Sequence, residues 1–91
     1  MFKKIKEKLK QKSYKKYKNL YAIEIAYRLK REERHRKHYG RAWPYIKRDI
    51  FEYYSRKLGV PDELLDSEFK KLVNKYKREL SLKKMEQILK I

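Results

Sequence analysis

The chain has 91 residues, with 28 Lys or Arg against 12 Asp or Glu and a formal net charge of +16. Its length allows one small domain, which hides only ~60% of the surface an unfolded chain of this size exposes, and the absence of cysteine excludes disulfide staples and thiolate metal sites. No window approaches the ~18–20 apolar residues of a membrane span, and the first dozen residues lack the apolar core of a secretory signal.

An intracellular, nucleoid-associated or intravirion setting is therefore expected. Abundant Lys, Glu, Ile and Tyr with few Gly is also usage met in heat-adapted proteins. The charge is uneven: residues 1–48 hold 18 basic and 4 acidic side chains, residues 49–91 hold 10 and 8. That imbalance exceeds what solubility requires and costs stability through self-repulsion unless a polyanion neutralises it. The basic half is thus expected to face an anion.

Two glycines and two prolines punctuate the chain, as Gly40 with Pro44 and Gly59 with Pro61. Between them no strong breaker occurs, so the expected fold is all-α: a long basic N-terminal helix plus a small bundle of three to four helices. The first helix is expected over residues 2–39. Its first eighteen residues contain nine lysines and one glutamate, with Phe2, Ile5 and Leu9 as a thin apolar stripe. They form a basic arm (residues 1–18) with little of its own to hold it in place. The bundle spans residues 19–91, with helices at about 19–39, 44–58, 61–80 and 82–90.

Leu20–Leu29 is apolar on most sides and should be the part of the first helix that packs against the others. Ile46, Ile50, Tyr54 and Leu58, with Phe51 beside them, repeat at the spacing of one buried stripe in the next helix; Leu65, Phe69, Leu72, Tyr76 and Leu80 do the same in the third. At Ser81 the phase changes, since Leu82, Met85, Ile88 and Leu89 would fall on the opposite side of an unbroken helix. Ser81 suits an N-cap, and Leu80 and Met85 occupy the two positions of a hydrophobic staple, so a separate short last helix is expected. The apolar stripes at the two ends either fold back on their own chain or meet a neighbour, which makes self-association an expectation.

The chemistry of catalysis is thinly represented. Ser13, Ser55, Ser67 and Ser81 have no histidine near them in sequence, so no nucleophile and base pair is suggested. The carboxylates interleave with lysines as solvated ion pairs do, and no glycine-rich loop would cradle a nucleotide phosphate. An enzyme is not expected. Glu32-x-x-His35 and His35-x-x-His38 have metal-binding spacing, but a di-metal bundle site needs a second such pair and further glutamates, and the chain has only two histidines. Neither a metal nor a cofactor is expected.

The same segment reads better as a surface. On one helix Lys30, Arg34 and His38 would line up with Arg31 and His35 beside them, while Glu32 and Glu33 would turn away to pair with Arg28, Arg36 or Lys37. Arg41, Trp43, Lys47 and Arg48 follow at the turn. Nine tyrosines occur; Tyr21, Tyr27, Tyr54 and Tyr76 belong to the core edge, whereas Tyr14, Tyr17 and Tyr39 suit contact with phosphate or bases. The candidate nucleic-acid contacts are Lys3, Lys4, Lys6, Lys8, Lys10, Lys12, Tyr14, Lys15, Lys16, Tyr17, Lys18, Arg28, Lys30, Arg31, Arg34, His35, Lys37, His38, Arg41, Trp43, Lys47 and Arg48.

Residues Tyr54-Ser-Arg-Lys-Leu-Gly59-Val-Pro-Asp-Glu-Leu-Leu65 resemble the signature of helix-turn-helix domains, with a small residue four before the turn glycine. The next apolar position of that signature falls on Glu68. The resemblance implies DNA reading by the start of the following helix, at Pro61, Asp62, Glu63, Asp66 and Ser67. That surface is acidic and would be repelled by a phosphate backbone.

Lysines in such number suit backbone neutralisation rather than a base code. The function expected from the sequence is sequence-nonspecific nucleic-acid binding, with double-stranded DNA favoured over RNA. A self-assembling nucleoprotein that coats or packages DNA, viral or chromatin-like, fits these features best. The alternatives are a ribosomal or other RNA-binding structural protein and a helix-turn-helix-like regulator. A membrane-surface role is disfavoured because three apolar residues in the arm give little insertion energy, and no small-molecule substrate is expected.

Overall fold

The computed structural model describes the backbone of residues 2–91 and the side chains of residues 17–91. The candidate contacts Lys3, Lys4, Lys6, Lys8, Lys10, Lys12, Tyr14, Lys15 and Lys16 lie outside the described side chains, as do Phe2, Ile5 and Leu9 and all but the last two residues of the expected arm 1–18.

The protein is all-α, as its sequence implies. Helix α1 runs over Phe2–Glu33, a single-turn helix α2 over Arg36–Tyr39, α3 over Trp43–Lys57, α4 over Ser67–Glu79 and α5 over Leu82–Leu89; single 3-10 turns lie at Gly40–Ala42 and Asp62–Leu64. The middle of α1 is the centre of the core, and α4, α5 and α3 pack around it. Ala22, Ile23, Ile25, Ala26, Tyr27 and Leu29 are all buried, together with Val60, Phe69, Val73 and Met85. A helix buried around so much of its circumference must be apolar on most sides, which is what residues 22–29 are. Ala22 and Ala26, one turn apart, keep that surface low enough for neighbouring backbones to approach. Leu20, at the edge of the apolar stretch, remains 41% exposed.

The expected stripe of α3 lies on this core through Ile50, Tyr54 and Leu58 with Phe51 beside them, whereas Ile46 stands outside it, half-buried; the expected third stripe lies on it through Leu65, Phe69, Leu72, Tyr76 and Leu80, and Val73, which that stripe did not include, is buried with them. Phe51 and Phe69 meet edge to face, with ring centroids 6.1 Å apart. The phase change at Ser81 is a helix boundary: the Ser81 hydroxyl accepts from the Lys84 N–H at 3.1 Å, and Leu80 and Met85 both belong to the core. Leu82, Met85, Ile88 and Leu89 pack within the same chain, so the C-terminal stripe folds back, and of its apolar residues Ile91 is the exposed one.

Three local expectations are corrected. The first helix does not continue to residue 39. It stops at Glu33, and the chain passes through a turn at Arg34 and His35, where the His35 N–H bonds to the Glu32 carbonyl at 2.9 Å in a tighter, three-residue ring. The row Lys30, Arg34, His38 is thereby cut. Second, Glu32 and Glu33 pair with none of Arg28, Arg36 and Lys37. Glu32 accepts from the Tyr39 hydroxyl at 2.9 Å, and Glu33 lies 3.6 Å from the Lys77 ammonium, because the turn and α4 bring those partners closer than α1 does. Third, the helix expected from Pro61 begins at Ser67. Pro61 instead precedes the 3-10 turn, and Asp66, in extended backbone, caps α4 by accepting from the Phe69 N–H at 2.8 Å.

The last correction bounds the helix-turn-helix resemblance. Its first half holds: Gly59 has φ +71°, and the Val60 and Gly59 N–H groups bond to the Ser55 and Arg56 carbonyls at 2.9 and 3.0 Å, closing α3 with a Schellman motif. Ser55 is only 1% exposed and donates to the Phe51 carbonyl at 2.6 Å, so a small residue is required there. The second half does not hold, since Pro61, Asp62 and Glu63 stand outside the following helix.

Candidate nucleic-acid interface

The sequence from Arg34 to Arg48 contains no acidic residue. The structure displays most of it: Arg34, His35, Arg36, Lys37, His38 and Arg41 are all exposed, and none of the four Arg and Lys among them has a carboxylate partner among the described residues. The break in α1 produces this display. A continued helix would stack these cations along one rod at three- and four-residue spacing, where like charges repel. The turn at Arg34–His35, the single turn of α2 and the 3-10 turn after it spread them over a corner instead.

That corner has a defined frame. Gly40 ends α2 with φ +53° and ψ −124°, a conformation that disfavours any other residue. Trp43 and Pro44 then open α3. Tyr39 stacks on Trp43 with ring centroids 5.8 Å apart and planes 23° from parallel, while its hydroxyl reaches back to Glu32. This bond, then burial and the charge of Glu32, push the Tyr39 phenol above its ordinary pKa. Tyr39 and the half-buried Trp43 thus act as the joint between α1 and α3. The His35 and His38 rings stand 6.2 Å apart, and no group of three or more metal-ligating side chains exists among the described residues.

Other candidate residues belong to the fold more than to this corner. Lys30 donates its ammonium to the Leu80 carbonyl at 2.7 Å and the Lys77 carbonyl at 3.1 Å, filling the open end of α4. Arg28 lies over the rings of Tyr54 at 5.2 Å and Tyr27 at 5.5 Å, with Glu24 at 3.8 Å. Its Nε is buried without a hydrogen-bond partner. Arg31 is exposed but also sits over Tyr27, at 5.5 Å. Tyr17 is exposed and faces Tyr21 at 6.3 Å, and Lys18 is half-buried.

Lys47 and Arg48 line a groove between α3 and α4, floored by Leu29, Phe51, Leu65 and Val73. Arg48 pairs loosely with the exposed Glu52 at 3.7 Å. Burial, followed by the nearby ammonium of Lys77, holds Lys47 below the ordinary lysine pKa, and Glu33 offsets this in part. Lys77 itself lies against Glu33 at 3.6 Å. Arg36, absent from the sequence-based candidates, is as exposed as Arg34 and Lys37. The signal that would have found it is the acid-free run itself, once the helix is broken.

No helix among the described residues is long and apolar enough to cross a membrane. Comparisons with protein-family models, curated proteins and solved structures gave no match.

Proposed function

We propose that the protein binds double-stranded DNA without sequence preference and coats or packages it as a self-assembling nucleoprotein. The observation that carries this reading is the acid-free corner, whose Arg34, Arg36, Lys37 and Arg41 are exposed and lack carboxylate partners among the described residues. Uncompensated cations repel one another and are stabilised by a polyanion. The nine lysines of residues 1–18 add charge at the far end of the same chain, so one molecule has two basic ends with which to follow a phosphate backbone.

The test is a titration of random-sequence duplex DNA, duplex RNA and anionic vesicles at several salt concentrations. Duplex DNA affinity is expected to fall steeply with salt, with a slope reflecting roughly five or more phosphates per molecule, and equally for unrelated sequences. Tight binding to one sequence over a weak background would favour a regulator, stronger binding to duplex RNA an RNA-associated protein, and binding to vesicles alone would end the reading.

A further inference from the structure

The groove between α3 and α4 has an apolar floor and a cationic rim. Leu29, Phe51, Leu65 and Val73 form the floor, while Lys47, Arg48 and Lys70 stand at the edge. Lys70 holds its ammonium 5.9 Å from the Phe51 ring centre, above the floor. The rim carries more positive charge than its own carboxylates balance, since Glu52 is shared with Arg48. An occupant of this groove should be negative at its edges.

The same chain presents such a surface next to it. Residues 58–69 contain no Lys or Arg and include Asp62, Glu63, Asp66 and Glu68, all exposed. This turn runs directly into Leu65, which lines the groove. Acidic and basic surfaces that adjoin on one face match a second copy of that face rotated by 180°, because each then meets its opposite and the contact is made twice. In free solution a net charge of +16 per chain opposes such an encounter. A duplex that neutralises the basic corner removes much of that repulsion.

We propose that two copies bound to one duplex pair across a twofold axis, the acidic turn 61–66 of each seated against the basic rim of the other's α3–α4 groove. The pairing rests on the duplex-binding reading above. It makes a pair of chains the unit of assembly on the duplex, with carboxylates of one copy over Lys70 of the other and the apolar floor between them covered.

The experiment is native mass spectrometry of the full chain with a duplex of about 30 bp, long enough for two copies of the ~48 Å α1 laid end to end. For the wild type at limiting protein, the two-copy complex should exceed the statistical expectation by about tenfold or more. Asp62→Lys with Glu63→Lys should bring the ratio of two-copy to one-copy complexes to the statistical value. Lys70→Glu with Asn74→Asp, on the groove side, should do the same. Asp66 is left intact because it caps α4, and circular dichroism checks that both variants fold. Mixed in equal amounts, the two variants should recover the excess as a mixed pair, since both reciprocal contacts are then charge-matched. Statistical occupancy by the wild type, or a mixture that forms no preferred mixed pair, overturns the pairing while leaving duplex binding intact. Absence of any complex overturns both.

Discussion

Lys30 and Arg34 lie one helical turn apart in sequence, yet the structure gives them different work, and replacing each in turn separates the two roles. The Lys30 ammonium donates to the Leu80 and Lys77 carbonyls at 2.7 and 3.1 Å. Lys30→Met keeps the stem and removes both bonds. Hydrogen bonds to a charged group contribute about 1.5–3 kcal/mol each, and the interaction with the negative end of α4 adds about 0.3–1 kcal/mol. Water can reach the carbonyls of this half-buried site once the ammonium is gone, so a net loss of about 2–3 kcal/mol is expected. For a domain of this size that lowers the thermal midpoint by about 10–20 °C. Arg34→Gln, at an exposed turn position, should leave the midpoint unchanged and reduce the salt slope of duplex binding by about 0.9. Thermal unfolding by circular dichroism and duplex titrations at 50 and 200 mM salt read both. A Lys30→Met protein that melts with the wild type while its salt slope drops as in Arg34→Gln would refute the division.

Four further outcomes are expected. Replacing Arg34, Arg36, Lys37 and Arg41 together by Gln should reduce the duplex salt slope by about 3–4; an unchanged slope would place the interface elsewhere. Gly59→Ala has open space for its methyl group but retains a left-handed φ, so chemical denaturation should show a loss of about 1 kcal/mol. Tyr39 has a folded pKa above its unfolded value near 10, so its bond to Glu32 supports the joint below that value and is lost as pH rises through the higher folded value. Ultraviolet titration should show a late phenol ionisation that disappears in Tyr39→Phe. Lys47, held below the usual lysine pKa by burial and by Lys77, should react with a limiting amine acylating reagent at lower pH than a free lysine side chain does. That preference should weaken in Lys77→Met.

The fold's core and caps were readable because their causes are local. An apolar run such as Ala22–Leu29 has one physical solution, burial on most sides, and a serine at a phase change, as at Ser81, has one obvious use. The break after Glu33 was not readable in the same way. Lys30 to Lys37 is a run without Gly or Pro, and what ends the helix there depends on partners distant in sequence: Lys77 for Glu33, and the α4 carbonyls for Lys30. The late start of α4 did have a local signal, Asp66 just before Ser67, but Pro61 offered a stronger one five residues earlier. At the candidate interface the charge excess was legible, whereas its division into fold-bound cations such as Arg28 and Lys30 and displayed ones such as Arg36 needed the three-dimensional arrangement.

The helix against which α3, α4 and α5 all pack is also the helix that leads into the basic corner. Displayed cations and scaffold are therefore one object. Whatever holds Arg34–Arg41 in place must also restrain α1, and opening α1 would scatter both the core and the displayed cations at once. On the proposed function, binding and folding share a single equilibrium: a duplex that favours the folded corner would raise the unfolding temperature of the entire chain by mass action. Between the melting point of the free chain and that of the proposed complex, the protein would be ordered only where a duplex holds it.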